Sequence, residues 1–263
     1  MGYPHQTAAG IAASRAMKGP LSPARSDRRP PRATPLTRRY EVAGLTRSGA
    51  LIDFTSVAPA TPAFEEAFAA FARGTLIATA NGPVAVEDLI PGTMIETADN
   101  GPMPLLWVGS MMIFPSLPDV AEDAVRLIRV TADSFGLARP AHDLVLGPRA
   151  RVLFRHTGCK QMFGTRSAFA PARSYTDGVN MVSVRPAAPV RVYHLVLDGQ
   201  QILLANGIEV ESYHPGTPAD VMVDLEMREL FLGLFPHVRN LSDFGPMHIP
   251  RLTEHEFEGM RAA

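Results

Sequence analysis

The apolar positions of this chain fall in short runs separated by turn residues, not in long stripes. Runs at 75–79, 84–86, 94–97, 105–108, 124–131, 144–146, 151–154, 181–184, 190–197, 202–205 and 208–212 are predicted strands. Asn81-Gly82, Pro91-Gly92, Asp99-Asn100-Gly101 and Gly207 punctuate them. Short strands with turns at such spacing predict an all-β sandwich, barrel or irregular β-domain.

Upstream, Tyr40, Val42 and Leu45, then Leu51, Ile52, Phe54 and Val57, flank Ser48-Gly49. Two strand-like stretches around a glycine turn predict a β-hairpin over 40–57. Thr61 is the expected cap of a helix that has Pro62 at its first position and Glu65 and Glu66 in its first turn. Phe64, Phe68 and Phe71 follow at i, i+4 and i+7, one apolar helical face that Gly74 would stop. In the tail, Thr217 and Pro218 repeat the cap pattern, with Asp220 at the positive end of the helix dipole. Val221, Leu225, Phe231 and Phe235 make a helical face up to Pro236, and a short helix is expected at Glu254–Met260. The stretch Arg155–Thr165 reads as a loop.

Composition narrows the class. The chain has 263 residues, 46% of them hydrophobic, enough for one substantial core with extensions. No apolar run approaches the ~18 residues of a membrane span. The net charge of −1 hides an asymmetry. Residues 1–39 hold eight basic residues against Asp27 alone, whereas the rest holds 17 basic and 25 acidic residues. That first stretch is proline-rich and poor in large apolar groups, so burial cannot offset its ordering entropy, and it reads as a disordered basic arm. A role on an anionic surface, nucleic acid or lipid, ranks below that of a solvated tail. The arm lacks the apolar stretch of a secretory signal. A lone cysteine, Cys159, can form no internal disulfide, which fits a reducing, cytoplasmic setting. No His, Cys, Asp or Glu cluster has metal-site spacing, and phosphate and dinucleotide fingerprints are missing, so neither metal nor cofactor is expected.

One stretch carries more information. Ala70-Phe71-Ala72-Arg73-Gly74-Thr75-Leu76-Ile77-Ala78-Thr79 precedes Asn81-Gly82, Val86-Glu87-Asp88-Leu89 and Pro91-Gly92. This resembles the opening of Hint domains, the fold shared by inteins and the Hedgehog autoprocessing region, and within them the bacterial Hint-domain proteins. Pro140–Phe154, Phe169–Gly178, Val190–Leu197 and Val210–Gly216 extend the resemblance over roughly 64–216. It implies a mainly β, horseshoe-shaped fold with short flanking helices, and a self-catalysed N-to-S or N-to-O acyl shift. In that reaction a Cys or Ser side chain attacks the preceding carbonyl and a histidine protonates the leaving nitrogen.

Placed on that pattern, the nucleophile position is Ala70, and the Thr-x-x-His box falls on Gly147-Pro148-Arg149-Ala150. The Asp expected after Pro91-Gly92 is Thr93. A methyl group can neither attack a carbonyl nor donate a proton. Thr75 and His214 are the substitute candidates, and both also read as structural. His142-Asp143 and His156 with Cys159 are weaker pairs, and His194 reads as a sheet residue. The expected organisation is a basic arm (1–39), an extension with a hairpin (40–63), the Hint-like domain (64–216) and a helical tail packed on it (217–263). The expected function is a degenerate Hint domain acting as a structural or binding module, with a protein or peptide in a residual groove lined by Ala70 and Ala150. The alternative is self-processing through a non-standard nucleophile. A third reading makes the arm the working part and the β-domain its scaffold.

Overall fold

The computed structural model describes residues 36–115, 122–216 and 224–262. Most of the basic arm, and the cap expected at Thr217-Pro218 with Asp220 and Val221, lie outside them.

In chain order the elements are β1 (Thr37–Leu45), β2 (Leu51–Pro59), α1 (Pro62–Glu66), β3 (Phe71–Ala72), β4 (Leu76–Thr79), β5 (Gly82–Ala85), β6 (Met94–Thr97), β7 (Gly101–Pro104) and β8 (Trp107–Ile113). Then come α2 (Glu122–Val125), β9 (Leu127–Val130), β10 (Leu144–Leu146), β11 (Arg151–Arg155), α3 (Thr157–Phe163), β12 (Ser167–Pro171) and β13 (Met181–Val184). β14 (Val190–Val196), β15 (Ile202–Ala205), β16 (Ile208–Glu211), α4 (Leu225–Leu232) and α5 (Glu254–Ala262) complete the order. The strands form two antiparallel sheets. One runs β13-β9-β10-β3-β14-β8-β1-β2; the other runs β12-β11-β16-β15-β4-β6-β7, with β5 paired to β4.

The alternation that predicted strands also sorts side chains between two cores. On β14, Tyr193 and Leu195 face the apolar interior shared with the second sheet, where Ile77, Ile95, Val152, Leu203 and Val210 meet them. Val192 and Val196 face the other way, into a second core with Tyr40, Trp107, Phe64 and Phe68. Phe231, Leu234, Phe235 and Phe244 of the C-terminal segment roof this second core. The Trp107 indole is wholly buried, and its Nε1–H donates to Leu234 O at 2.8 Å, so the ring is satisfied as well as packed.

The hairpin is longer than its apolar alternation indicated. β1 begins at Thr37, so Arg38 and Arg39, counted above with the basic arm, are strand residues. β1 pairs with β2 and with β8 from Tyr40↔Met111 to Gly44↔Trp107, which makes the hairpin two strands of the first sheet.

The helical expectations need correction. α1 ends at Glu66, and Thr61 makes no side-chain cap bond; its carbonyl alone accepts, from the Glu65 N–H. Phe64 and Phe68 pack in the second core, whereas Phe71 is a strand residue of the first. The chain becomes extended at Phe71 because it pairs there with β10 and β14, and those ladder bonds outweigh continuation of a helix. Arg155–Thr165 holds α3, with the His156 ring accepting the Gly158 N–H at its start and Gly164 left-handed at its end. The strand expected over 124–131 is split into α2 and β9. α4 starts after Asp224, whose carboxylate caps Glu226 and Met227, and Phe235 lies beyond its end. α5 begins from a reciprocal Thr253–Glu256 capping box. No described helix is long and apolar enough to cross a membrane.

Candidate functional site

Ala69 and Ala70 mark where the chain crosses from one core to the other. Ala69 is buried in the second core and Ala70 in the first. The peptide between them therefore passes through the first sheet, and its polar groups must be paired inside the protein. They are. The Ala70 N–H donates to Tyr193 O at 2.9 Å, and the Arg149 N–H donates to Ala69 O at 3.0 Å. The next carbonyl, Ala70 O, accepts the Gly147 N–H at 2.7 Å. The turn Gly147–Ala150 thus clamps residues 69 and 70 by backbone bonds, and it brings the two expected family positions, Ala70 and Ala150, into one apolar cluster.

Gly147 permits this approach. A Cβ there would sit 2.2 Å from Ala69 O and 2.7 Å from Ala69 C, contacts with backbone that no rotamer change relieves. The methyl groups of Ala70 and Ala150 are 1% and 2% exposed. Among the described residues, apolar neighbours pack around both methyl groups, in contrast to the groove expected.

The substitute candidates are both hydrogen-bonded within the fold. Thr75 is buried, and its Oγ1–H donates to Ala72 O at 2.8 Å. His214 accepts the Gly216 N–H at Nδ1, and its Nε2 lies 3.1 Å from Gly245 O. Since a carbonyl can only accept, Nε2 carries the proton and the ring is a neutral tautomer, with burial lowering its pKa. Cys159 is buried against Met260 in a separate cluster with Phe257 and Leu252, and burial raises its thiol pKa. Its backbone N–H, not its sulfur, bonds to His156. Asp143 bonds Arg129 and the Ala132 N–H instead of His142.

Beside the crossing lies a partly buried ionic clasp that sequence reading did not find. Arg38 of β1 donates through Nε to Glu65 at 2.7 Å, and Arg149 lies 3.7 Å from the same carboxylate. Arg151 pairs with Glu66 and approaches Glu211 at 3.8 Å. Arg251 donates to Glu211 at 2.9 Å and to His214 O at 2.6 Å. Burial alone would raise the Glu66 carboxyl, but Arg151, Arg251 and Arg149 outweigh it and the net shift is downward. Burial likewise works against the Arg251 charge, and Glu211 and Glu66 reverse it. The only sequence signal was the pair Glu65-Glu66, which reads equally well as a helix first turn.

His194 joins the clasp from β14. Its Nδ1 donates to Glu66 O at 2.9 Å, and no described residue bonds its buried Nε2. Burial pushes its pKa down to about 4. It is a buried neutral imidazole that holds the end of α1, not an exposed acid or base. Among the described residues, no group of three or more His, Cys, Asp or Glu side chains is arranged for a metal ion.

Residues 69–217 match the family model described as Hint domain. Two solved structures are similar. A bacterial intein-like domain from Clostridium thermocellum is 14% identical, with a TM-score of 0.39 over 56% of this chain and 99% of its own. A splice-inactive variant of the AceL NrdHF class 3 split intein is 9% identical, with a TM-score of 0.38 over 54% of this chain and 97% of its own. No curated protein matches the chain.

Proposed function

The chain belongs to the Hint-domain family, whose model covers more than half of it, and from that premise we propose that it is a non-processing member, a structural or binding module built on a self-cleaving scaffold. The observation that carries this reading is the state of the peptide at Ala69–Ala70. It is the bond the family reaction would attack. Here a methyl group follows the carbonyl, the histidine position is a second methyl group, and the carbonyl oxygen is already held by the Arg149 N–H.

Three further features support the reading. Acyl shift needs a nucleophile within bonding reach of the carbonyl carbon and a proton donor at the nitrogen. The Ala70 N–H instead points into a ladder bond with Tyr193, and Gly147 stands where the family box has threonine, letting backbone fill the space over Ala69. The segment before residue 70 is also part of the fold: β1, β2, Phe64 and Phe68 build the second core, and Glu65 and Glu66 are met by Arg149 and Arg151 of the following chain. A cut at this bond would leave a nicked complex and release no cargo.

Hydroxylamine with thiol tests the proposal, because it traps an ester or thioester as a cleaved hydroxamate. The purified chain is expected to stay whole at neutral pH. Release of a fragment ending at Ala69 would overturn the reading.

A further inference from the structure

The two sheets end on edges of different character. In the second sheet β7 carries Pro102 and Pro104, and β5 carries Pro83. β12 is covered by the C-terminal segment: the Phe169 N–H donates to Pro250 O at 2.8 Å, and the Leu252 N–H to Phe169 O at 2.8 Å. In the first sheet β13 is four residues long. β2, at the other end, is unlike all of these. It runs nine residues, with no proline before its last position and one charged side chain, Asp53. Among the described residues nothing pairs with its outer side. Leu51 and Val57 on it are 56% and 62% exposed. Folded chains normally blunt such an edge, because its free N–H and C=O groups template a further strand.

Backbone geometry fixes which groups are free. The Thr46 N–H donates to Ala50 O, and the Ala60 N–H to Leu36 O. Both bonds share the register of the β1–β2 ladder, so the even-numbered residues of β2 bond to β1. Leu51, Asp53, Thr55 and Val57 therefore turn their N–H and C=O groups outward. An antiparallel partner must bond to these odd-numbered residues. If that partner is a second β2, the possible two-fold registers differ in quality. Centring on Asp53 opposes two carboxylates, which repel. Centring on Thr55 sets Asp53 against Val57, and Leu51 against Pro59, which has no N–H to give. Centring on Phe54 sets Leu51 against Val57 at both ends, Asp53 against Thr55, and one Phe54 ring against the other.

We infer that β2 is a self-association edge: a second copy of this chain adds its own β2 antiparallel, across a two-fold axis at Phe54, and joins the two first sheets into one. Leu51 and Val57 then cover each other, and the Asp53 carboxylate accepts the Thr55 hydroxyl of the other copy. Every outward N–H and C=O from Leu51 to Val57 is paired. A two-fold interface needs a patch that complements itself, and the order Leu51, Asp53, Phe54, Thr55, Val57 does so about its centre. That self-complementarity selects a second copy over an unrelated strand. The inference rests on the hairpin alone, so it and the non-processing reading fail separately.

Sedimentation equilibrium of the full chain, from micromolar to millimolar concentration, tests the pairing. The average mass should rise from 28.4 kDa toward twice that value. The Asp53 and Thr55 amides should exchange more slowly as concentration rises. Leu51→Glu and Val57→Lys should each weaken association at least about tenfold, since each removes two cross-strand apolar pairs per dimer. Both side chains are exposed, so neither change disturbs the core. Mixing the two variant chains should restore a dimer: the introduced carboxylate and ammonium face each other at one end, and Leu51 and Val57 meet at the other. Thr55→Pro removes an outward N–H, leaves the bonds to β1 in place, and should abolish association. A monomer at every concentration, association indifferent to Val57→Lys and Thr55→Pro, or a mixture no tighter than its parts would overturn the inference. So would protection of the outward amides at every concentration, which would assign the edge to another segment of the same chain.

Discussion

Glu65-Glu66 and Ala69-Ala70 lie in one short stretch of chain, yet they are held by opposite means. The first pair is held by arginines from β1, from the turn before β11 and from β11 itself. The second is held by packing and by three backbone hydrogen bonds, with no charged side chain bonded to it. Charges this deep are stable only in company, so each arginine depends on its carboxylate. Alanine needs no partner. The junction therefore carries groups of the kind acyl-transfer chemistry uses, carboxylates, guanidiniums and an imidazole, and each is bonded into the tie between α1 and the body. The stretch that a self-processing protein would have to release is tied to the body through Arg149 and Arg151.

The comparison breaks most severely if one clasp carboxylate is removed. Glu211→Ala leaves Arg251 buried without its closest counter-charge, and a loss of about 4 kcal/mol is expected in urea unfolding, the scale for a broken buried pair. A loss under about 1 kcal/mol would mean that the clasp is solvated and that the contrast with the crossing is false.

Acid sharpens it next. His194 titrates at about 4 folded against 6.5 unfolded. The folded state prefers the neutral ring, so the contribution is complete above pH 6.5 and is lost as pH falls toward 4. Stability should drop by about 3 kcal/mol from this residue between pH 7 and pH 4. His237, also pushed down to about 4 by burial, adds in the same direction. Replacing His194 with phenylalanine should flatten that limb of a pH series whatever it does to absolute stability. An unchanged slope would place the ring in solvent.

On the apolar side, Gly147→Ala drives a methyl group into the Ala69 carbonyl. A loss of about 2 kcal/mol by thermal unfolding is expected, as for other overpacked sites. A neutral outcome would show that the turn can withdraw from residue 69. The smallest effect belongs to Thr75→Val, which removes one buried hydroxyl bond to Ala72 O. About 1 kcal/mol should be lost, with the chain uncleaved.

The strands were the legible part. Met94–Thr97, Leu144–Leu146, Met181–Val184 and Ile202–Ala205 fall where the apolar runs end at turn residues. Gly101–Pro104 and Ser167–Pro171 did not show, because proline and small residues hide the alternation. The crossing at Ala69–Ala70 was misread for a physical reason. Phe64, Phe68 and Phe71 keep helical spacing, and apolar spacing alone cannot tell a helix from a turn plus a strand buried between two cores. The position of residue 70 came from the Gly-Thr motif downstream. Its surroundings, the clasp above all, came from partners such as Arg38, Arg151 and Arg251, which no local pattern connects.

The central claim is that the peptide at Ala69–Ala70 is inert, and intact mass measured over days at neutral pH tests it most directly. One species at 28.4 kDa is expected throughout. Two fragments summing to that mass, one of them beginning at Ala70, would contradict it.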